Sequence, residues 1–270
     1  MRDLFSEIDR IGAIDNVYFE GGEAFLYYPL LLEGLRMAAA RGLRAGIVTN
    51  AYWATSVEDA EIWLEPIRRI GIADLSVSDD AFHGSTEANS TAKLAFTAAR
   101  NMEIPCSLVC IEPPAPATIG ERSSAKGEPV TGGSVLFKGR AAEKLTAGWP
   151  RRPCRELTSC PHEDLAAPAR VHVDSYGNVH LCQGLSMGNM WETPLSTLVR
   201  EYRGARHSIC GPLLAGGPAA LAKAYGVELL DDFVDECHYC YTVRKALIDR
   251  FPKHLAPRQV YGLSEPAATA

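Results

Sequence analysis

Six of the chain's eight cysteines, Cys154, Cys160, Cys182, Cys210, Cys237 and Cys240, fall after residue 150. Cys237-His238-Tyr239-Cys240 is the tightest pair among them. Two thiolates separated by two residues present both sulfurs to one side of a turn and can chelate one metal centre. Joined by Cys182 and Cys160 they make four soft ligands, enough for one zinc ion or one 4Fe–4S cluster. Cys154 competes with Cys160 for the fourth place, and Cys210, which has no partner spacing, stays outside the set. A zinc ion that only staples the tail is the plainer alternative. His238, inside the pair, reads either as a donor to a sulfur or as an exposed histidine. Cys106 and Cys110 lie at even spacing in an apolar run and read as core residues on one face of a strand.

A second constellation lies near the N-terminus in Val17–Glu23, V-Y-F-E-G-G-E. Val17, Tyr18 and Phe19 predict a short strand, and Gly21-Gly22 ends it. Paired glycines after a strand tolerate positive φ and let a ligand approach the backbone closely. Glu20 and Glu23, flanking them, suit a positively charged group on that ligand. Read without its surroundings, the segment is a tight turn with solvated glutamates.

The elements that position these residues alternate. Leu4, Phe5, Ile8 and Ile11 recur at helical spacing. Pro29 opens a helix that runs to about Arg41, with Gly42 as its stop. Arg44–Thr49 predicts a strand ending at Asn50, and Val57–Ile70 a helix stopped by Gly71. Ala73–Ser78 is a third strand, closed by Asp79-Asp80; Thr91–Met102 is a helix and Pro105–Ile111 a fourth strand. Strands and helices in alternation predict βα units and a parallel sheet. Right-handed crossovers then bring Gly21-Gly22-Glu23, Thr49-Asn50 and Ser78-Asp79-Asp80 to one edge, the edge where sites form in barrels and partial barrels. Residues Pro113–Gly133 read as a loop, Ser134–Phe137 as a further strand, and Arg170–Cys182 as a hairpin turning at Tyr176-Gly177-Asn178. The cysteine distribution places a boundary near residue 145.

With 270 residues and 47% hydrophobic content, the chain is one sizeable domain or one domain with a smaller appendage. A net charge of −6 lacks the basic footprint of a general nucleic-acid binder. No apolar run approaches the ~20 residues of a membrane span. The start, M-R-D-L-F-S-E-I-D-R, does not resemble a signal peptide. The cytoplasm is the expected compartment, where disulfides are rare, and neither nucleic acid nor membrane is an expected partner.

Strand–Gly-Gly-Glu, strand–Thr-Asn and strand–Ser/Asp, followed by a cysteine-rich tail, resemble the radical S-adenosylmethionine (radical SAM) superfamily, with a C-terminal SPASM or twitch domain. The resemblance runs from about Val17 to Tyr241. It implies an α/β fold: a partial (β/α) TIM-like barrel over residues 1–145 lacking its first strand, and an Fe–S domain over 146–270. It implies that Gly21, Gly22 and Glu23 bind the amino group of SAM, and that Thr49, Asn50, Ser78 and Asp80 help hold its ribose and carboxylate. Gly177-x4-Cys182 with the later Cys237/Cys240 pair fits the tail pattern, which implies an auxiliary 4Fe–4S cluster on Cys160, Cys182, Cys237 and Cys240, with Cys154 as the alternative to Cys160. Relatives with such tails often modify peptides or proteins by hydrogen abstraction, so a peptide or protein substrate and an electron donor are the implied partners. The superfamily's C-x-x-x-C-x-x-C, which leaves one iron open to SAM, occurs nowhere in the chain, whose first cysteine is Cys106. A truncated N-terminus or a chain without the catalytic cluster are the two expectations, and a non-catalytic Fe–S or zinc protein that kept the scaffold is the rival reading.

Overall fold

The computed structural model describes residues 1–83, 90–116 and 131–264, and they divide into two compact units, Met1–Glu112 and Pro113–Ala270. The first unit alternates helix and strand: α1 (Arg2–Ile11), β1 (Asn16–Phe19), α2 (Tyr28–Ala39), β2 (Arg44–Thr49), α3 (Val57–Ile70), β3 (Asp74–Ser78), α4 (Thr91–Asn101) and β4 (Cys106–Val109). The strands form one four-stranded sheet in the order β1-β2-β3-β4, every pair parallel. The sheet is open, and no barrel is closed among the described residues.

Local chemistry explains these boundaries. Ser56 caps α3 by accepting from the Asp59 backbone N–H at 3.0 Å, and Ser90 caps α4 through the Lys93 N–H at 3.3 Å. Pro29 sits in the first turn of α2, where its missing N–H has no intrahelical partner to lose. A 3-10 turn, Ala24–Tyr27, precedes that helix. The apolar faces meet over the sheet: Leu35, Leu64 and Ile67 from helices and Ile47, Leu75 and Val77 from strands are fully buried in one cluster. Burying the inner faces of β2 and β3 in this way contributes ~1.5–3 kcal/mol for each large side chain.

The second unit is built from short pieces. β5 (Ala115–Pro116) pairs with β6 (Thr131–Gly132), and α5 (Arg140–Lys144) follows. β7 (Arg152–Pro153) later pairs with β11 (Asp232–Phe233). β8 (His172–Val173), β9 (Asn178–Cys182) and β10 (Leu185–Asn189) form an antiparallel sheet in the order β10-β9-β8. α6 (Leu195–Glu201), α7 (Cys210–Tyr225) and α8 (Glu236–Leu247) complete it. No helix among the described residues is long and apolar enough to cross a membrane.

Several expectations need correction. Residues 134–137 are not assigned to a strand: Val135 and Phe137 are buried, alternating as a strand would, and pack on Val234. Within the second unit Ala141, Leu145 and Trp149 pack against the same cluster. Part of the expected loop 113–133, residues 117–130, lies outside the described residues. Cys106 is half-buried and Cys110 exposed, because β4 ends at Val109 and lies at the sheet edge. The Cys237/Cys240 pair sits in the first turn of a helix, not in an isolated turn.

Candidate functional site

At the C-terminal edge of the first unit's sheet, Gly21 and Gly22 are exposed. Gly21 has a φ of 134°, and a Cβ added to either glycine would meet nothing within 4 Å. The backbone there is open to a ligand. Glu23 is turned inward. Its Oε1 accepts from the Phe25 backbone N–H at 3.0 Å and the Thr49 hydroxyl at 2.8 Å, and its Oε2 accepts from the Asn50 N–H at 2.8 Å. Thr49 is equally committed, accepting the Ala51 N–H at 3.0 Å and the Trp53 indole N–H at 3.1 Å. Ala51 has a φ of 56°, a conformation costing an L-residue about 1–2 kcal/mol; the bond from its N–H to Thr49 helps hold it there.

Phe25 stacks on Trp53 at 4.3 Å, and Tyr28, whose hydroxyl donates to the Trp63 carbonyl, packs edge-on to Trp63 at 4.9 Å. This aromatic wall fixes the turn after Glu23 against the end of β2. At the third strand end, Asp80 is buried, accepting from the Phe82 N–H at 3.0 Å and the Ile111 N–H at 3.3 Å. Ser78 and Asn50 are half-buried, and Asn50 Oδ1 accepts from the Tyr52 N–H at 3.0 Å. The structure thus brings Glu23, Thr49 and Asn50 together by direct hydrogen bonds. Glu23, Thr49 and Asp80 hold the rim together; the Gly21-Gly22 backbone faces outward.

In the second unit, Cys160, Cys182, Cys237 and Cys240 line one cavity together with Lys138 and Arg244. The four sulfurs arrive by three routes. Cys160 follows Thr158-Ser159, whose backbone packs on Gly217; a Cβ there would lie 2.3 Å from the Ser159 nitrogen, and the φ of 61° is left-handed. Only glycine permits that approach, which kinks α7. Cys182 ends β9. Asp235 caps α8 by accepting from the His238 N–H at 2.8 Å, which fixes the turn carrying Cys237 and Cys240. At a separation of three the two cysteines share a helix face.

Burial raises the thiol pKa of Cys160, drives that of Cys237 well above the usual range and lifts that of Cys240 to about 11. Cys182 adds to the rise at all three through charge repulsion, whereas Arg244 opposes it at Cys160 and Cys240 and Lys138 at Cys237. Lys138 Nζ also donates to Cys182 Sγ at 3.4 Å. No three His, Cys, Asp or Glu side chains among the described residues converge tightly enough to hold one metal ion.

Cys154 lies off the cavity wall, on a 3-10 turn beside Tyr239, whose phenol is pushed up to about 12 by burial and then by Cys154. Cys210 opens α7, fully buried, and burial pushes its thiol up to about 12. It is close enough to feel Cys240 and Cys160, a proximity its spacing did not announce. His238 is buried, not exposed, and its Nδ1 accepts from the Val234 N–H at 3.3 Å; burial lowers its pKa to about 4. Lys138 and Arg244 were missed from the sequence. Arg244 stands four residues after Cys240, so a helical reading of the cysteine pair places it on the same face.

No family model matches the chain. A stretch of 93 residues is 24% identical to a Bacillus subtilis (strain 168) protein named as a peptide biosynthesis protein, YydG. The matched stretch is 34% of this chain and 29% of that protein's own length.

Proposed function

We propose that this chain is the bulk of a radical SAM protein acting on a peptide: a partial (β/α) barrel that binds SAM at its strand-end rim, followed by a SPASM/twitch-like domain with one auxiliary 4Fe–4S cluster. The observation that carries the proposal is the convergence of Cys160, Cys182, Cys237 and Cys240 on one cavity from three separate segments of the second unit. Their donor set fits the group: four soft sulfurs, two flanking cations and a buried, unpartnered Arg244 Nε–H. Four soft thiolate donors fit a 4Fe–4S cluster and a structural zinc alike, and the resemblance of the cysteine pattern to the auxiliary-cluster tails favours the cluster. When bound, such a cluster supplies one-electron relay chemistry.

The chain's own residues do the remaining work. Gly21 and Gly22 leave backbone polar groups open to the SAM amino and carboxylate ends, while Glu23 and Thr49 hold that backbone in place from behind. Asn50 and Ser78, half-buried at the ends of β2 and β3, are the side chains proposed to reach the SAM ribose. The resemblance to a protein named for peptide biosynthesis supports a peptide substrate. SAM cleavage is not assigned to these 270 residues, because they contain no C-x-x-x-C-x-x-C.

The test is anaerobic purification with metal, sulfide and SAM-binding analysis. About four irons and four sulfides per chain are expected, lost on Cys237→Ser, with SAM retained in calorimetry and weakened by Gly22→Val. One zinc and no sulfide would replace this reading with that of a zinc-stapled α/β protein. A cluster without SAM affinity would favour a non-catalytic Fe–S binding protein that kept the scaffold.

A further inference from the structure

Arg244 is 1% exposed, one of the largest fully buried side chains among the described residues. One guanidinium nitrogen donates to the Gln183 carbonyl at 2.9 Å and lies 3.3 Å from the Tyr261 hydroxyl, and the guanidinium sits over the Tyr261 ring, 5.7 Å from its centroid. These are neutral partners. Among the described residues Arg244 forms no ion pair with a carboxylate, and its buried Nε–H has no acceptor. Of the carboxylates lining the cavity, Glu163 lies 4.0 Å from Lys138, and Glu236 pairs through Oε1 with Arg152 at 3.3 Å while its Oε2 is buried without a hydrogen bond; neither forms an ion pair with Arg244. A buried cation without a counter-ion is among the costlier things a fold can contain. With neutral thiols around it, Arg244 has none.

With metal-bound thiolates the balance changes. Four thiolates around a divalent core carry a net charge of about −2. Arg244 and Lys138 both line the cavity that would hold it. Arg244 is close enough to Cys240 for its charge to oppose the rise in that thiol's pKa, and Lys138 donates to Cys182. We infer that Arg244, assisted by Lys138, is the counter-cation of the tetrathiolate centre and sets how readily that centre accepts an electron. The inference rests on the cluster proposed above. A reduced centre carries one more negative charge than an oxidised one, so a buried cation beside it raises the reduction potential. Arg244 acts more strongly than Lys138, because it is fully buried and unscreened, whereas Lys138 is partly exposed and partly offset by Glu163.

The test is a redox titration of the reconstituted full chain with dithionite and mediators, followed by EPR. Arg244→Met is expected to disfavour reduction at least tenfold, ~60 mV lower for a one-electron couple. Because that variant also loses the Gln183 and Tyr261 contacts and could fail to fold, two others accompany it. Arg244→Lys keeps the charge and should hold the potential near the parent's, while Lys138→Met, on the cavity margin, should lower it by a smaller step. Iron and sulfide content is measured on every sample. A parent chain that takes up no iron and sulfide overturns the proposed function and this inference with it. A loaded parent and loaded variants with the same potential overturn the inference alone. So does a loaded Arg244→Lys whose potential falls as far as that of Arg244→Met, since the effect would then come from hydrogen-bond geometry and not from charge.

Discussion

Replacing Glu23 tests whether the rim of the first unit is held from behind, as its hydrogen bonds indicate. Glu23→Ala leaves the Phe25 N–H, the Asn50 N–H and the Thr49 hydroxyl without their shared acceptor. Each bond to a charged group contributes ~1.5–3 kcal/mol, and a rim site lets water replace part of that. The expected loss is therefore about 3 kcal/mol. Glu23→Gln is the sharper probe. Its oxygen can still serve Phe25 and Thr49, but its NH2 must then face the Asn50 N–H, donor against donor. One contact becomes repulsive, and about 2 kcal/mol should be lost with side-chain shape unchanged. Urea unfolding of the parent and both variants gives these differences from midpoints at constant slope. If Glu23→Gln and Glu23→Ala both stay within 0.5 kcal/mol of the parent (about the size of an ordinary surface substitution), the carboxylate does not hold the rim and the reasoning fails. Asn50→Ala serves as the control: its backbone N–H, the group that bonds Glu23, survives the change.

Two further outcomes follow from the second unit. His207 is buried, its Nε2 donates to the Ser186 carbonyl at 2.9 Å and its Nδ1 accepts from the Ile209 and Cys210 N–H groups at 3.2 and 3.1 Å, with the His254 ring 4.2 Å away; burial, then His254, lowers its pKa from 6.5 to about 4. Both states are neutral above pH 6.5, and below it the unfolded chain takes up a proton that the folded one refuses, so stability falls between pH 6.5 and 4 by up to about 3 kcal/mol; His207→Asn, which can keep the Nδ1-side acceptor without titrating, should lose less over that window in denaturant unfolding, and parallel pH curves would contradict this. Gly177, at φ 85°, closes the hairpin, and a Cβ there would lie 2.3 Å from Trp191 Cδ1 and 2.8 Å from Asn189 Oδ1; Gly177→Ala should cost about 2 kcal/mol, read from the shift in thermal midpoint, and an unchanged midpoint would contradict both the backbone strain and the clash.

The first unit was legible because its signals were local and agreed with one another. Alternating apolar strands, Pro29 at a helix start and Gly71 at a helix stop all reappear within a residue or two of where the pattern puts them. Parallel pairing followed from alternation, and with it the gathering of Gly21-Gly22, Thr49-Asn50 and Ser78 at one edge. The direction of Glu23 was not legible. A glutamate beside two glycines suits an outward ligand contact as well as an inward bond, and the choice was made by Thr49, 26 positions away, and by the packing of Phe25 on Trp53.

The second unit resisted reading for a different physical reason. Its strands are mostly two to five residues long, too short for periodicity to mark, so β10 went unnoticed and residues 134–137 mimicked a strand by burying alternate side chains against Val234. Cysteine spacing nonetheless singled out four thiols that share a cavity, because a pair three apart keeps its sulfurs together in a turn or in a helix. Spacing carries no sign of charge, however. Arg244 is far from Cys160 and Cys182 in sequence, and an arginine on an amphipathic helix ordinarily faces water. Its burial beside thiols is intelligible only if those thiols ionise. Burial opposes that ionisation at Cys160, Cys237 and Cys240, and two nearby cations do not by themselves overcome it. The proposed cluster would do both tasks at once: it would take the protons' place on sulfur and give Arg244 its counter-charge. On that proposal cavity, cations and cysteines would form one electrostatic unit, and chelating the cluster from the loaded chain should lower the denaturant midpoint of the second unit while leaving the first unit's sheet, which shares none of these residues, intact.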